Sequence, residues 1–464
     1  MGLEQNQLTL SSVAPGRGKR PACWTDPVLW AGLLLTTYAL ANAWDYGREY
    51  MGLDFYQQEW IVPRAVVEFG IRDIYSDAGR QRMEQAFRAK ALGEEVGPLH
   101  RRVAQCIHTS DRKQIDVTGT PLLYTVFRLF AGGDYDRDFR AYLTFCVGGF
   151  AVGVALLCRA LGYSVAATLV VLPVLTFLEP FRSELRALNV NCFQLLTLAA
   201  ILYLRRWSRW RAASAASGVV LGVAIMFKPT VAMTLVFLLM AWLINRRLRR
   251  QLWACGGVAA GLAAGFVVSS AFLGSWTIWF DFVGRFGAMF REPWKFPEGN
   301  YSLASLVRFL NGKQITWELL AGLCAAAMVC LWLGRRRGPV PPASDPADRA
   351  RALREDFLAV GLACAVTLAA SQLTWLHYYL LLIPLVLYVL RPSLPAAESP
   401  RVKPPRAPAA RSFLAAAALL VMSDWPRPAL SRLVPADAIG AYFCAALAVI
   451  LLLGFWEAVE LRRA

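Results

Sequence analysis

A long series of apolar runs, punctuated by short basic clusters, constrains this chain more than any other feature. A helical span needs about 20 apolar residues, because backbone polar groups inside a bilayer must bond within their own segment. The first run covers residues 24–43. Later runs cover 139–160, 163–178, 187–204, 213–227, 229–244, 252–273, 314–334, 357–374, 378–390, 412–422 and 437–456. Together they predict an all-α, polytopic integral membrane fold with about twelve transmembrane helices. Composition agrees: 57% of the 464 residues are hydrophobic, 17% are charged, and mean hydropathy is +0.42. Soluble domains carry about 25% charged residues. The 16 Trp, 15 Tyr and 25 Phe suit two interfacial belts.

The net charge of +17 does not point to nucleic acid, because the basic residues fall in clusters between apolar runs. Arg17, Lys19 and Arg20 precede the first run. Later clusters are Arg205, Arg206, Arg209 and Arg211; Arg246, Arg247, Arg249 and Arg250; Arg335, Arg336 and Arg337; Arg401, Lys403, Arg406 and Arg411; and Arg462 with Arg463. Threading the runs alternately puts all of them on one side, which predicts both termini in the cytoplasm. Ala41-Asn42-Ala43 resembles a signal-peptide cleavage site, but the apolar run is long for one, and a retained first span is the better reading.

The chain reads as a single membrane domain over 1–464, with two long segments on the outer face, 45–138 and 275–311. In the first, Trp60-Ile61-Val62-Pro63 and Ala65-Val66-Val67 alternate with Glu59, Arg64, Glu68 and Arg72, a pattern expected of an amphipathic helix on the membrane surface. The basic, Pro-rich stretches 335–355 and 391–411 read as flexible cytoplasmic linkers. Most of the ten cysteines lie within apolar runs and no CxxC pair occurs. With three histidines in all, an imidazole metal site is not expected, and no cofactor is.

Chemistry is therefore sought among polar residues at span ends. Asp54 follows the first run in Gly52-Leu53-Asp54-Phe55-Tyr56, where a partly desolvated carboxylate suits a base acting at headgroup depth. Asp45 is its rival, and a solvated loop acid is the plain alternative for either. Lys228-Pro229 joins two apolar runs with almost no loop, so its ammonium can pair with a phosphate or simply snorkel. The charged connection Glu179-Pro180-Phe181-Arg182-Ser183-Glu184-Leu185-Arg186 leads into Asn189-Val190-Asn191. Those amides suit sugar hydroxyls, or bonds between helices. His377-Tyr378-Tyr379 sits at an outer span end, and Asn300 opens the sequon Asn300-Tyr301-Ser302. Threading places Asp54, Arg182, Lys228, Asn300 and His377 on the same face, which scattered structural residues need not share.

The order of these motifs resembles that of the family 87 glycosyltransferases, polytopic enzymes of the C type (GT-C), from about residue 50 to 390. The resemblance rests on Asp54-Phe55-Tyr56 followed by Gly70 and Tyr75, and on Thr120-Pro121-Leu122-Leu123-Tyr124. It continues through a Gly-rich span from Gly218 to Lys228-Pro229, Asn300-Tyr301-Ser302-Leu303, and His377-Tyr378 before a late span. Where the family has a Gly-Gln-Val-Asn-like segment, this chain reads Leu188-Asn189-Val190-Asn191.

The resemblance implies inverting transfer of a sugar, mannose or a pentose such as arabinose, from a polyprenyl-phosphate donor to a lipid-linked or glycan acceptor outside the cytoplasmic membrane. By the same analogy Asp54 is the catalytic base, and Lys228, His377, Arg182 and Arg186 hold the donor phosphate. Tyr56, Asn189, Asn191, Asn300 and Tyr378 then bind substrate. A lipid or small-solute transporter is the alternative; it predicts ionisable residues at the bilayer midplane, whereas here they gather at span ends. A scaffold subunit is a third reading.

Overall fold

A computed structural model describes residues 27–91, 96–108, 114–208, 210–289, 299–335, 346–391, 408–423 and 436–461. The basic residues Arg17, Lys19, Arg20, Arg209, Arg336, Arg337, Arg401, Lys403, Arg406, Arg462 and Arg463 lie outside the described residues. Within them the architecture is all-helical, without a strand, apart from one isolated bridge between Leu178 and Ser423.

Among the described residues four helices are long and apolar enough to cross a membrane by length and composition: Tyr135–Leu161, Leu248–Leu273, Thr316–Leu333 and Gly440–Glu460. Other apolar runs form shorter helices, among them Val165–Thr176, Asn191–Arg205 and Arg211–Phe227. These fall below the length of a straight span, so the helices differ from about twelve full-length crossings. Helix boundaries are set locally. In the long helix Tyr135–Leu161, Asp134 caps the start by accepting from the Asp136 and Arg137 N–H groups, and Gly162 ends it in the left-handed region at φ 84°. Arg205 and Phe227 are each followed by a tight connection.

Seven elements position the site and are labelled here in chain order. They are α1 (Pro27–Arg48), α2 (Glu179–Ala187), α3 (Asn191–Arg205), α4 (Arg211–Phe227), α5 (Ala232–Ile244), α6 (Leu252–Leu273) and α7 (Ile383–Leu390). Helices α4 and α6 interlock through glycine. A Cβ at Gly218 would stand 2.1 Å from the Ala254 carbonyl oxygen, and one at Gly222 2.3 Å from that of Val258. Gly257 and Gly261 meet Ala215 and Val219 at 2.2 and 2.3 Å in return. Backbones this close leave no room for a side chain, as in small-xxx-small helix pairs. The contact fixes where α4 ends, and Lys228 is the residue after that end.

Where it is described, the segment 45–138 is largely helical and packed. A π-helical turn, Phe55–Trp60, runs into the helix Ile61–Phe69. Ile61, Val62, Ala65 and Val66 are buried against the protein. The expected surface helix therefore spends its apolar face on the protein core, with Arg64 ion-paired to Glu68 on its exposed side. The linker expected over 335–355 is likewise corrected where it is described. Helix Pro346–Ala370 begins inside it, and Asp348 and Glu355 bond Arg247 at 2.5 and 3.1 Å. Buried carboxylates paired to arginine hold a segment in place, which composition cannot reveal. Residues 392–407 of the other expected linker lie outside the described residues.

Candidate active site

Four distant segments converge beyond the ends of α1 and α4. Asp54 ends the turn that follows α1, and Gly52 makes that turn possible at φ +59°. A Cβ on Gly52 would stand 2.9 Å from the Phe139 ring and 3.0 Å from Leu188, so both conformation and space require glycine. The Tyr135 hydroxyl donates to the Met51 and Gly52 carbonyls at 2.5 and 3.2 Å, holding the turn from below.

Asn189 comes from the connection between α2 and α3. Its Nδ2 donates to Asp54 Oδ2 at 3.0 Å, and its Oδ1 accepts from Lys228 Nζ at 3.1 Å. The same Oδ1 accepts the Val190 N–H at 2.7 Å, and Tyr142 donates its hydroxyl to the Asn189 carbonyl at 2.7 Å. The amide orientation is thereby determined: only Nδ2 can face a carboxylate while Oδ1 receives an ammonium. Lys228 Nζ also lies 4.6 Å from the centre of the Tyr378 ring. Tyr378 belongs to the 3-10 turn Leu376–Leu382 that leads into α7.

Two further carboxyls share this field, and sequence reasoning passed over both. Glu184, on α2, accepts from the Asn191 N–H at 2.8 Å, the Cys192 N–H at 3.2 Å and Asn191 Nδ2 at 2.9 Å. Burial raises its pKa to about 7, against the pull of those donors and of Lys228. Glu59 is buried, and its Oε2 has no hydrogen-bond partner among the described residues. Burial and the neighbouring Asp54 carboxylate push it well above the usual carboxylate range. Glu184 stood in plain view in the charged connection, and Glu59 looked like the polar face of a surface helix. In both cases the signal was a carboxylate beside a span end, without anything to mark it as inward-facing.

Accessibility separates the three acids. Glu184 is 0% exposed and Glu59 2%, so neither can meet a substrate in this conformation, whereas Asp54 is only half-buried. Burial raises the Asp54 pKa, opposed by the Asn189 hydrogen bond and the Lys228 charge. The rival Asp45 has a side chain 61% exposed, with Arg48 at 3.4 Å, the arrangement of a solvated surface acid.

The other sequence candidates divide. His377 is buried within the electrostatic reach of Lys228 and Arg186, with Nε2 unpartnered among the described residues. Arg186 donates to the Tyr46 hydroxyl at 2.7 Å and pairs with Glu179, while Arg182 lies over the Tyr46 ring at 5.1 Å. Both arginines thus flank the end of α1. Tyr56 points away from Asp54: its hydroxyl meets His100 Nε2 at 3.3 Å and His108 Nε2 at 3.2 Å, and His108 Nδ1 meets Glu84 at 2.7 Å. Asn191 is committed to Glu184. Asn300 is fully buried; it donates to the Gln372 carbonyl at 2.5 Å and accepts the Thr374 N–H at 3.0 Å. The polar atoms of Tyr56 and Asn300 are thus engaged inside the protein, whereas Asn191 gives Nδ2 to Glu184 and keeps a buried Oδ1 without a partner among the described residues. Asn300 instead fixes the strand of chain that leads to His377.

Thr120 also acts on the site from a distance. Its Oγ1 accepts the Leu123 N–H at 3.1 Å as a helix cap and donates to the Phe227 carbonyl at 2.8 Å. It therefore ties the first long segment to the residue just before Lys228.

The sequence profile of glycosyltransferase family 87 matches residues 118–347. The chain belongs to glycosyltransferase family 87. The matched segment of this family 87 protein carries Thr120, Arg182, Arg186, Asn189, Lys228 and Asn300, while Asp54, His377 and Tyr378 lie outside it. No curated protein and no solved structure matches the chain significantly. The protein is thus a glycosyltransferase with apolar helices suited to a membrane, and its polar cluster is the candidate place for transfer.

Proposed function

We propose that this protein transfers a sugar, with inversion, from a polyprenyl-phosphate donor to a lipid-linked or glycan acceptor at the outer face of the bacterial cytoplasmic membrane. Mannose and a pentose such as arabinose both suit the reading. The observation that carries it is the Asp54–Asn189–Lys228 chain: a partly buried carboxylate and an ammonium held by one amide, at the ends of apolar helices.

In this reading the acceptor hydroxyl oxygen attacks the anomeric carbon on the face opposite the phosphate. Its proton passes to Asp54. The bond between the anomeric carbon and the phosphate oxygen breaks, and the phosphate leaves with the electron pair. A single in-line displacement needs one base and a stabilised leaving group, which Asp54 and Lys228 supply. In the same reading His377, Arg182 and Arg186 assist the phosphate, and Tyr378 holds the ammonium from its ring face at 4.6 Å. Asn189 sets the spacing between base and cation.

The test is transfer of radiolabelled sugar from polyprenyl-phosphate donors to membrane lipid extract by purified protein. Asp54→Asn keeps the size of the side chain but cannot accept the proton, so transfer should fall by about a hundredfold or more. Near-normal turnover in this variant removes Asp54 as base. Absence of transfer by the intact wild-type protein with every donor sugar tried removes the donor class, and transport of the same lipids becomes the assay to run.

A further inference from the structure

A second polar site lies at the other end of the helical bundle. Helix α3 separates the two: its 15 residues run from Asn191 beside the Asp54 cluster to Arg205, roughly 20 Å at 1.5 Å per residue. Just beyond Arg205 is a cavity of about 530 Å³. Arg206, Arg349, Arg354, Arg391 and Arg411 line it, together with the single carboxylate of Glu457. These residues come from the end of α3, helix Pro346–Ala370, the end of α7, helix Pro408–Val421 and helix Ala436–Glu460. Four separate segments therefore bring guanidiniums to one hollow, and a fifth brings the carboxylate, which a single charge run on a solvated face would not do.

The charge inside is not balanced. Glu457 is buried, and its two oxygens are divided between Arg391, at 3.0 Å, and Arg411. Arg391 is held further by donating to the Tyr388 carbonyl at 2.6 Å and by lying 3.8 Å from that ring's centre. Arg206 donates to the Arg159 carbonyl at 2.8 Å, which cancels none of its charge. Neither Arg206 nor Arg354 has an acidic partner among the described residues. Even with Arg349 set aside, four guanidiniums face one carboxylate. The remaining wall is apolar and includes Leu161 and Phe357.

We propose that this cavity binds a phosphate-bearing anion, and that an anionic phospholipid head group is its source. Guanidiniums in fixed fork geometry select phosphate oxygens. A hollow at the end of apolar helices, with part of its wall apolar, can take a head group together with the start of its acyl chains. Soluble phosphate shares the head group's chemistry but gains nothing from the apolar wall.

The experiment uses the full chain, purified in detergent, with native mass spectrometry of bound phosphatidylglycerol and phosphatidylcholine. The wild type should retain phosphatidylglycerol in preference, and the double variant Arg206→Gln/Arg354→Gln should bind it about thirtyfold more weakly. Neither residue holds Glu457, so the variant should melt at the wild-type temperature. Equal retention by variant and wild type overturns the proposal. If the variant does melt early, the wild type decides alone: phosphatidylcholine held as firmly as phosphatidylglycerol overturns it. Displacement of the lipid by millimolar inorganic phosphate supports the anion site and assigns it to a soluble ligand. Retention against phosphate supports the lipid.

Discussion

Asn189 donates its side-chain amide to the Asp54 carboxylate at 3.0 Å, although 135 residues separate the two in sequence. The other end of the same amide accepts from Lys228. One neutral group thus carries the influence of a cation to an acid without letting the pair collapse into a salt bridge. A direct ion pair would lower the carboxylate's basicity further. Burial keeps Asp54 above the ordinary range, and the bridge holds it in place while only partly opposing that shift.

The acid side of the pH–rate profile should therefore lie above that of an ordinary aspartate, near pH ~4. A base works only when deprotonated, so activity falls as pH drops through its raised pKa. Asn189→Ala removes a hydrogen bond that favours the charged form, so the acid limb should move to still higher pH. Initial rates from about pH 5 to 9 check this; an unmoved limb would mean that the titrating group is not Asp54.

Lys228→Ala should act more on donor than on acceptor. In the proposed reaction the ammonium meets the phosphate, so donor KM should rise and kcat fall, together costing about 2 to 4 kcal/mol in kcat/KM. Acceptor KM should stay within about twofold. Steady-state kinetics with each substrate varied in turn separates these, and an effect confined to acceptor KM would reassign the lysine.

Gly222→Val tests the interlock between α4 and α6. Its Cβ would lie 2.3 Å from the Val258 carbonyl oxygen, and backbone cannot give way as a side-chain tip can. The helices must separate, at a cost of about 3 kcal/mol or more. Melting temperature should drop, and activity should drop with it because α4 ends at Lys228. Val at Gly256, where a Cβ meets nothing within 4 Å, is the control and should leave both unchanged.

Glu184→Gln should reveal a pH-dependent stability difference. The folded-state pKa of Glu184, about 7, exceeds the 4.5 of an unfolded chain. A raised value contributes stability that is full below the unfolded pKa and lost as pH rises through the folded one. The glutamine does not titrate. Relative to wild type, the variant should therefore gain roughly 3 kcal/mol between about pH 5 and 8. Thermal melts at several pH values check the slope, and parallel curves would contradict it.

The sequence by itself determined the solvent this chain is built for. Long unbroken apolar runs with basic boundaries specify helices, because a closed barrel, the other element that satisfies the backbone in an apolar medium, reads as short alternating strands. It also marked Asp54, Asn189, Lys228 and Tyr378, each at a helix end, since polar groups must leave an apolar stretch at its ends. What it could not determine was direction. Glu59 and Glu184 read as surface charge, yet tertiary packing turns both inward against Lys228. Asn300 and Tyr56 read as ligand contacts, yet their polar atoms are consumed by backbone and by histidine. At Leu188 the backbone is left-handed, φ 52°, where the family pattern has glycine. Leucine tolerates it because its side chain is fully buried, and burial worth about 2 kcal/mol outweighs strain of about 1. Such choices depend on neighbours far away in sequence, whose positions are known only once the helices have packed.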